Sequence, residues 1–340
     1  MKPLRLLLLG SLPPPAGGTT LLFAQLVEAL RRRSDVALSV IDTGARGAAS
    51  RAVALARTLA ALPRADVISL HASPPGIARA GPLLLRAGVP LVVRVFGGSL
   101  DLALTQGPAR QRERLARVVD GAARVLVETD HVAAWLGANR PNARVAILRN
   151  SRAIPSAPPA SPPGAKRFVF VGQVSEAKGA RELAAAMEIA APHGVTLDVY
   201  GACSEPAMRE LLTRAPGLRV HGEVANARVP TLLAAADALV LPTRHAAEGH
   251  PGVILEAFAA GRAVIATRHR AIPELVAHEQ NGLLVPMGDV PALAAALVRL
   301  ASDRELAARL GTSAFASARE FDAEIWTERF VAVCREAARP

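Results

Sequence analysis

The segment "ALVLPTRHAAEGHPGVILEAFAAG", Ala238 to Gly261, reads as strand, loop and helix in succession. The apolar run ending at Thr243 has the composition of a buried strand. Arg244, His245 and Glu248 follow in a loop. A helix then begins near Pro251, whose missing N–H suits a first-turn position, and stops at Gly261. Glu248 therefore stands at the carboxyl end of a strand. The N–H groups of Gly252, Val253 and Ile254, at the positive end of the helix dipole, form an anion site. Glu256 is the only polar residue in "GVILEAFAAG". An ionised carboxylate in such company costs several kcal/mol unless paired, so it meets either a ligand or an arginine in a structural bridge. Two acids beside an anion site repel a bare phosphate but suit a ligand that combines phosphates with hydroxyls.

The strand–loop–helix unit recurs along the whole chain. "LRLLLLG", "VALSVID", "DVISLH", "PLVVRVFGG" and "RVLVET" alternate with helical periods before residue 150. "RFVFVGQV", "VTLDVYGA", "LRVHGEV", "ALVLPT", "AVIATR" and "GLLVP" do so after residue 166. This is the βα alternation of parallel sheets. The 340 residues are enough for two domains, and the proline-rich stretch Ser151–Arg167 divides them. The expected class is α/β, with two Rossmann-like doubly wound domains at 1–155 and 167–320 joined by a linker at 156–166. Open sheets bind ligands outside the carboxyl ends of their strands, so two such domains face to face make a cleft.

Charge is divided unevenly. Residues 1–166 hold 22 Lys plus Arg against 9 Asp plus Glu, whereas the remainder holds 18 against 20. An anionic membrane surface or phosphorylated lipid accounts for this basic half, as does plain use of arginine at the surface. Aromatic residues are only 3% and no groove-reading motif occurs, which argues against nucleic acid. Arg110, Arg114 and Arg117 fall on one stripe of a helix, with Leu115, Val118, Val119 and Ala122 on another. Cys203 and Cys334 lack metal spacing and imply no disulfide framework. No apolar run approaches the ~18 residues of a membrane span, and the leucines after Lys2 and Arg5 read as a first strand rather than a leader. The expected location is cytoplasmic, peripheral at the inner membrane face.

The segment "EGHPGVILEAFAAGRAVIATRHRAIPELV", followed by "NGLLVPMGD", resembles the signature of the retaining family 4 glycosyltransferases of the GT-B fold. "FVFVGQVSEAKGARELAAAM" resembles a second motif of that family. The resemblance implies that Glu248 contacts hydroxyls of a nucleotide-sugar donor and Glu256 holds its ribose. Gly172 and Lys178 then lie at the donor diphosphate, with Gly249, His250, Pro251, Gly252 and Val253 lining the donor. His250 stands where Phe is usual. Gln173 replaces an arginine that normally shares the phosphates, so Lys178, the helix N-terminus and Arg244 are left to hold them. In the first half, Gly17 and Gly18 resemble the family's glycine-rich loop, and Gly97, Gly98 and Ser99 follow Phe96 where many relatives carry histidine. His71, at a strand end, is a candidate for the acceptor cleft, although a strand-end histidine also serves packing. Asn150 matches an Asn before the crossover, and residues 321–340 resemble terminal helices that return to the first domain, with Trp326 as anchor.

The implied chemistry is transfer of a sugar to an acceptor hydroxyl with retention at the anomeric carbon, in surface polysaccharide or glycolipid assembly. Glu248, Lys178 and His71 are the expected catalytic set. No Asp-x-Asp pair occurs, so neither metal nor other cofactor is expected. The expected acceptor is a sugar or a lipid-linked saccharide. The alternatives are a sugar-nucleotide epimerase or phosphorylase of the same fold, or a non-catalytic nucleotide-sugar-binding partner. The lysines are only Lys2, Lys166 and Lys178, which limits any Schiff-base chemistry.

Overall fold

The computed structural model describes residues 2–14, 17–44, 47–160 and 166–339. The chain divides into two units, Met1–Ser151 with Ala323–Pro340, and Arg152–Asp322.

Unit 1 alternates β1 (Leu4–Gly10), α1 (Gly18–Arg31), β2 (Val36–Asp42), α2 (Ala48–Ala61), β3 (Val67–Ala72), α3 (Pro74–Leu84) and β4 (Leu91–Val95). It continues through α4 (Leu100–Thr105), α5 (Ala109–Gly121), β5 (Arg124–Val127), α6 (Asp130–Asn139) and β6 (Val145–Ile147). The six strands form one parallel sheet in the order β2-β1-β3-β4-β5-β6. β1 shows why "LRLLLLG" reads as an unbroken apolar run. Successive side chains alternate faces, and both faces are covered. Leu6 and Leu8 pack with Phe23, Val27 and Leu30 of α1, while Leu7 and Leu9 pack on the face that holds Ile77, Leu115 and Val118.

Unit 2 runs β7 (Arg167–Val171), α7 (Ala180–Ala190), β8 (Thr196–Tyr200), α8 (Pro206–Arg214), β9 (Leu218–Gly222) and α9 (Val229–Ala234). Then come β10 (Ala238–Leu241), α10 (Gly252–Ala259), β11 (Ala263–Thr267), β12 (Gly282–Val285), α11 (Val290–Ser302) and α12 (Arg304–Ala318). Its parallel sheet has the order β12-β11-β10-β7-β8-β9, the six-stranded doubly wound arrangement, which reverses direction between β7 and β10. Two Rossmann-like domains are therefore present. The last helix, α13 (Ala323–Ala337), belongs to unit 1, where Trp326, Phe330, Val331 and Cys334 join the core beside α1.

The boundaries fall elsewhere than the proline content suggests. The first lies after Ser151 instead of residue 155, and the second after Asp322 instead of residue 320. Backbone pairing sets both, because Arg152 N–H donates to the Phe321 carbonyl at 2.9 Å and Arg152 bridges Asp322. The early part of the expected linker packs onto unit 2. The buried Arg262 guanidinium donates to the Ala160 carbonyl at 2.7 Å, and also to that of Ala234 at 2.7 Å. Residues 161–165 of that linker lie outside the described residues.

Candidate functional site

The reversal of strand order in unit 2 puts the loop after β7 beside the loop after β10. A short 3-10 turn, Glu176–Lys178, leads into Gly179, whose φ is +81°. A Cβ at Gly179 would strike the Pro242 carbonyl, so the position takes glycine for both its backbone and its close approach. This contact presses the two loops together. Lys178 Nζ donates to Glu248 Oε2 at 2.6 Å, and Thr243 Oγ1 donates to the same oxygen at 2.6 Å. Glu248 and Thr243 are buried. Thr267 Oγ1 fixes the Thr243 carbonyl at 2.6 Å from the end of the adjacent strand. The sequence identified Lys178 and Glu248 but not Thr243 or Thr267, which look like ordinary strand-end residues.

The second acid has its own cation. Arg152 Nε donates to Glu256 Oε1 at 2.7 Å, and both side chains are mostly buried, 14% and 26% exposed. A Cβ on Gly252 would fall on the Arg152 guanidinium, which thus lies across the first turn of α10. Glu256 therefore meets the arginine bridge that its apolar surroundings allowed. Of the three N–H groups read as an anion site, that of Ile254 is taken by the Pro251 carbonyl at 3.0 Å. Pro251 caps α10 instead of starting it, and the helix closes at Ala259, ahead of Gly261 with φ +67°.

Three further expected donor residues have the following surroundings. Arg244 Nη1 donates to the buried Glu182 at 2.8 Å, and this hydrogen bond raises the guanidinium above its ordinary value. His250 turns inward, with Nε2 3.0 Å from Glu274 Oε2 and its ring edge-on to Phe321. Gln173 is exposed beside Gly172, whose N–H donates to the Tyr200 carbonyl at 3.0 Å. Tyr200 in turn stacks on His221, 4.4 Å apart and 12° from parallel, and His221 Nε2 lies 2.6 Å from Asp198 Oδ1. This flat surface at the carboxyl end of β8 had no motif to announce it. Gly249 is buried in the same loop.

Chemically, Glu248 and Glu256 are each matched to one cation around one helix start. Such pairs suit exchange with a ligand carrying phosphates and hydroxyls, phosphate for carboxylate at Lys178 and Arg152, hydroxyl for cation at Glu248 and Glu256.

Unit 1 holds the remaining residues. His71 is 1% exposed, enclosed by the rings of Phe23, Phe96 and Phe330, with Nε2 2.9 Å from Ser69 Oγ. Burial first, and Arg94 second, hold its imidazole well below the ordinary value, so it is neutral at pH 7. Its Nδ1 has no partner among the described residues. Arg94 is also buried and lies over Phe96, with Nη2 3.3 Å from Asn150 Oδ1; burial lowers it to about 10. Gly97, with φ +82°, donates its N–H to buried Glu128 at 3.1 Å. Gly98 follows, and Ser99 precedes α4 as its cap. Gly17 caps α1 and donates to Thr20 Oγ1 at 3.0 Å; at Gly18 a Cβ would meet nothing within 4 Å. Pro15 and Ala16 of that loop lie outside the described residues. Arg94 and Glu128 were invisible in the sequence, because a charged residue inside a strand run carries no partner information.

Among the described residues no three His, Cys, Asp or Glu side chains gather as a metal site, and no helix is long and apolar enough to cross a membrane.

Residues 165–303 match the family described as Glycosyl transferases group 1. The amylovoran biosynthesis glycosyltransferase AmsK of Erwinia amylovora is 46% identical over 69 residues, 19% of this chain and 17% of that protein. The phosphatidyl-myo-inositol mannosyltransferase of Mycolicibacterium smegmatis is 33% identical over 158 residues, 45% of this chain and 40% of that protein. The chain thus spans less than half the length of either relative. Among solved structures, sucrose-phosphate synthase from Thermosynechococcus elongatus superposes with a TM-score of 0.79 at 18% identity, covering 98% of each chain. Anabaena HepE in complex with UDP superposes with a TM-score of 0.78 at 19% identity, covering 98% of this chain and 99% of that one. The fold is that of the GT-B glycosyltransferases.

Proposed function

We propose that the chain is a retaining glycosyltransferase that moves a sugar from a nucleotide-sugar donor, bound in unit 2, to an acceptor hydroxyl. One observation carries the reading. At the sheet's switch point two carboxylates, Glu248 and Glu256, are each paired with a cation, Lys178 and Arg152, around the start of α10. Glycosyl transferases group 1 is the family matched over residues 165–303, which hold Lys178, Glu248 and Glu256 but not Arg152, and HepE, of the same fold, is solved with UDP. Glu256 takes the ribose hydroxyls, Glu248 the sugar hydroxyls, and Lys178 the diphosphate. In this reading the base packs near Tyr200, at the neighbouring strand end.

In the reaction the acceptor oxygen bonds to the anomeric carbon on the face from which the diphosphate leaves. The bond from that carbon to the phosphate oxygen breaks, and the acceptor proton passes to the departing phosphate. Products are a glycoside of unchanged configuration and a nucleoside diphosphate. Lys178 and the α10 dipole stabilise the charge that develops on the leaving group, so no metal is required. The acids bind hydroxyls and are not a glycosidase pair. Relatives described as an amylovoran biosynthesis glycosyltransferase and a putative colanic acid biosynthesis glycosyltransferase support assembly of a surface polysaccharide or glycolipid, which we place at the inner membrane face.

The test is product analysis with UDP-sugars first. Retained anomeric configuration in the product, with turnover undiminished by chelator, is expected. An inverted product, or a donor altered only at its own sugar carbons, overturns the reading.

A further inference from the structure

The unit 1 sheet also reverses order, between β1 and β3, and a cavity of about 680 Å3 opens there. Ligand pockets run from ~300 to 1,000 Å3, and protein interiors otherwise leave few voids larger than a water molecule. Its walls are the facing sides of α2, through Ala54, Leu55 and Thr58, and of α3, through Ala80, Leu83 and Leu84. α2 is an odd helix by the rules of packing. Its sequence, "AASRAVALARTLAA", is mostly apolar, yet Thr58 is the only one of its fourteen residues that is buried. Val53, Leu55, Leu59 and Leu83 are four of the seven large apolar side chains exposed among the described residues, all on these two helices. Such a concentration marks a binding surface.

The cavity is polar at one end only. Ser11, Thr43 and His71 line it at the carboxyl ends of β1, β2 and β3, Arg51 in the opening turn of α2 and Arg79 halfway along α3. His71 itself is fully enclosed beneath this end. Farther along the helices the lining is alanine and leucine with Thr58, whose hydroxyl donates back to the Ala54 carbonyl at 2.7 Å.

We infer that this cavity binds an amphiphile with one apolar chain, its anionic head at the carboxyl ends of β1–β3 and its chain between α2 and α3. Arg51 and Arg79 pair with the head, in keeping with the surplus of cations in residues 1–166. The ligand's identity as the acceptor rests on the transferase reading above; the site itself rests on unit 1 alone.

The experiment is calorimetric titration of the full chain with straight-chain alkyl phosphates from hexyl to dodecyl, below micelle formation. Affinity is expected to rise about fourfold per added methylene until the cavity is filled. Ala54→Trp, which fills the cavity from α2, is expected to weaken decyl phosphate at least tenfold while melting temperature and nucleoside diphosphate affinity stay unchanged. Arg51→Gln with Arg79→Gln should weaken decyl phosphate but not decyl glucoside. Farnesyl diphosphate against lysophosphatidic acid distinguishes a prenyl from an acyl chain. Absence of saturable binding, affinity independent of chain length in the unmodified protein, or decyl phosphate binding unaltered in a folded Ala54→Trp overturns the inference. Nucleoside diphosphate binding without alkyl phosphate binding sinks this inference alone. The reverse leaves the cavity's ligand in place and sinks the transferase reading.

Discussion

Glu256 shows how far a single residue can be read. Its apolar surroundings demand a partner, but the partner, Arg152, is 104 residues away, beyond any spacing argument. The same holds for Lys178 and Glu248, 70 residues apart. Motif identity put these acids and Lys178 in one site, whereas Arg152, Thr243 and Glu182 emerged only from the geometry. The pairing implies that Arg152 carries charge that Gln173 lacks. Arg152→Ala should lower nucleoside diphosphate affinity by about one to two decades, the value of a charged hydrogen bond, while leaving the bare nucleoside unaffected. Equal loss for nucleoside and diphosphate would reduce Arg152 to a structural role. His71 gives a prediction of the opposite kind. Its folded value is depressed, so the stability it contributes is complete above the ordinary histidine value near 6.5 and is lost as pH falls below that. Urea unfolding of the native chain should steepen below that pH by up to ~1.4 kcal/mol per pH unit relative to His71→Asn. An identical pH profile for the two proteins would contradict the burial argument.

At the scale of elements, most strands were legible, because parallel strands covered on both faces read as continuous apolar runs, whereas β6, three half-buried residues at the sheet edge, was not read as one. Helix ends were less so. Pro251 suits either a cap or a first position, and only the chain's path separates the two. α5 follows its stripes, with Leu115, Val118 and Val119 buried and Arg110, Arg114 and Arg117 exposed. If the basic stripe meets anionic lipid at ~1 kcal/mol per charge, Arg110→Glu, Arg114→Glu and Arg117→Glu together should release the protein from vesicles rich in acidic lipid. Unchanged co-sedimentation would exclude α5 as the contact. α2 escaped the sequence reading for the converse reason. An apolar helix is normally taken for a packed one, and nothing in its residues says that its inner face borders a cavity.

For the whole molecule, tandem βα alternation sufficed to place two doubly wound domains, and both sheets have the expected all-parallel pairing. The division was misplaced by a few residues because proline content marks where a chain cannot join a sheet, not which unit it packs against. Arg262 and the Arg152–Phe321 pairing decide that. The central claim is that unit 2 binds the diphosphate of a nucleotide sugar at the loop of Lys178, and calorimetric titration of the full chain with UDP and other nucleoside diphosphates tests it most directly. The account predicts saturable binding, a loss of about one to two decades in Lys178→Ala and a gain in Gln173→Arg, with chelator making no difference. No binding of any nucleoside diphosphate, or binding that neither substitution alters, would contradict it.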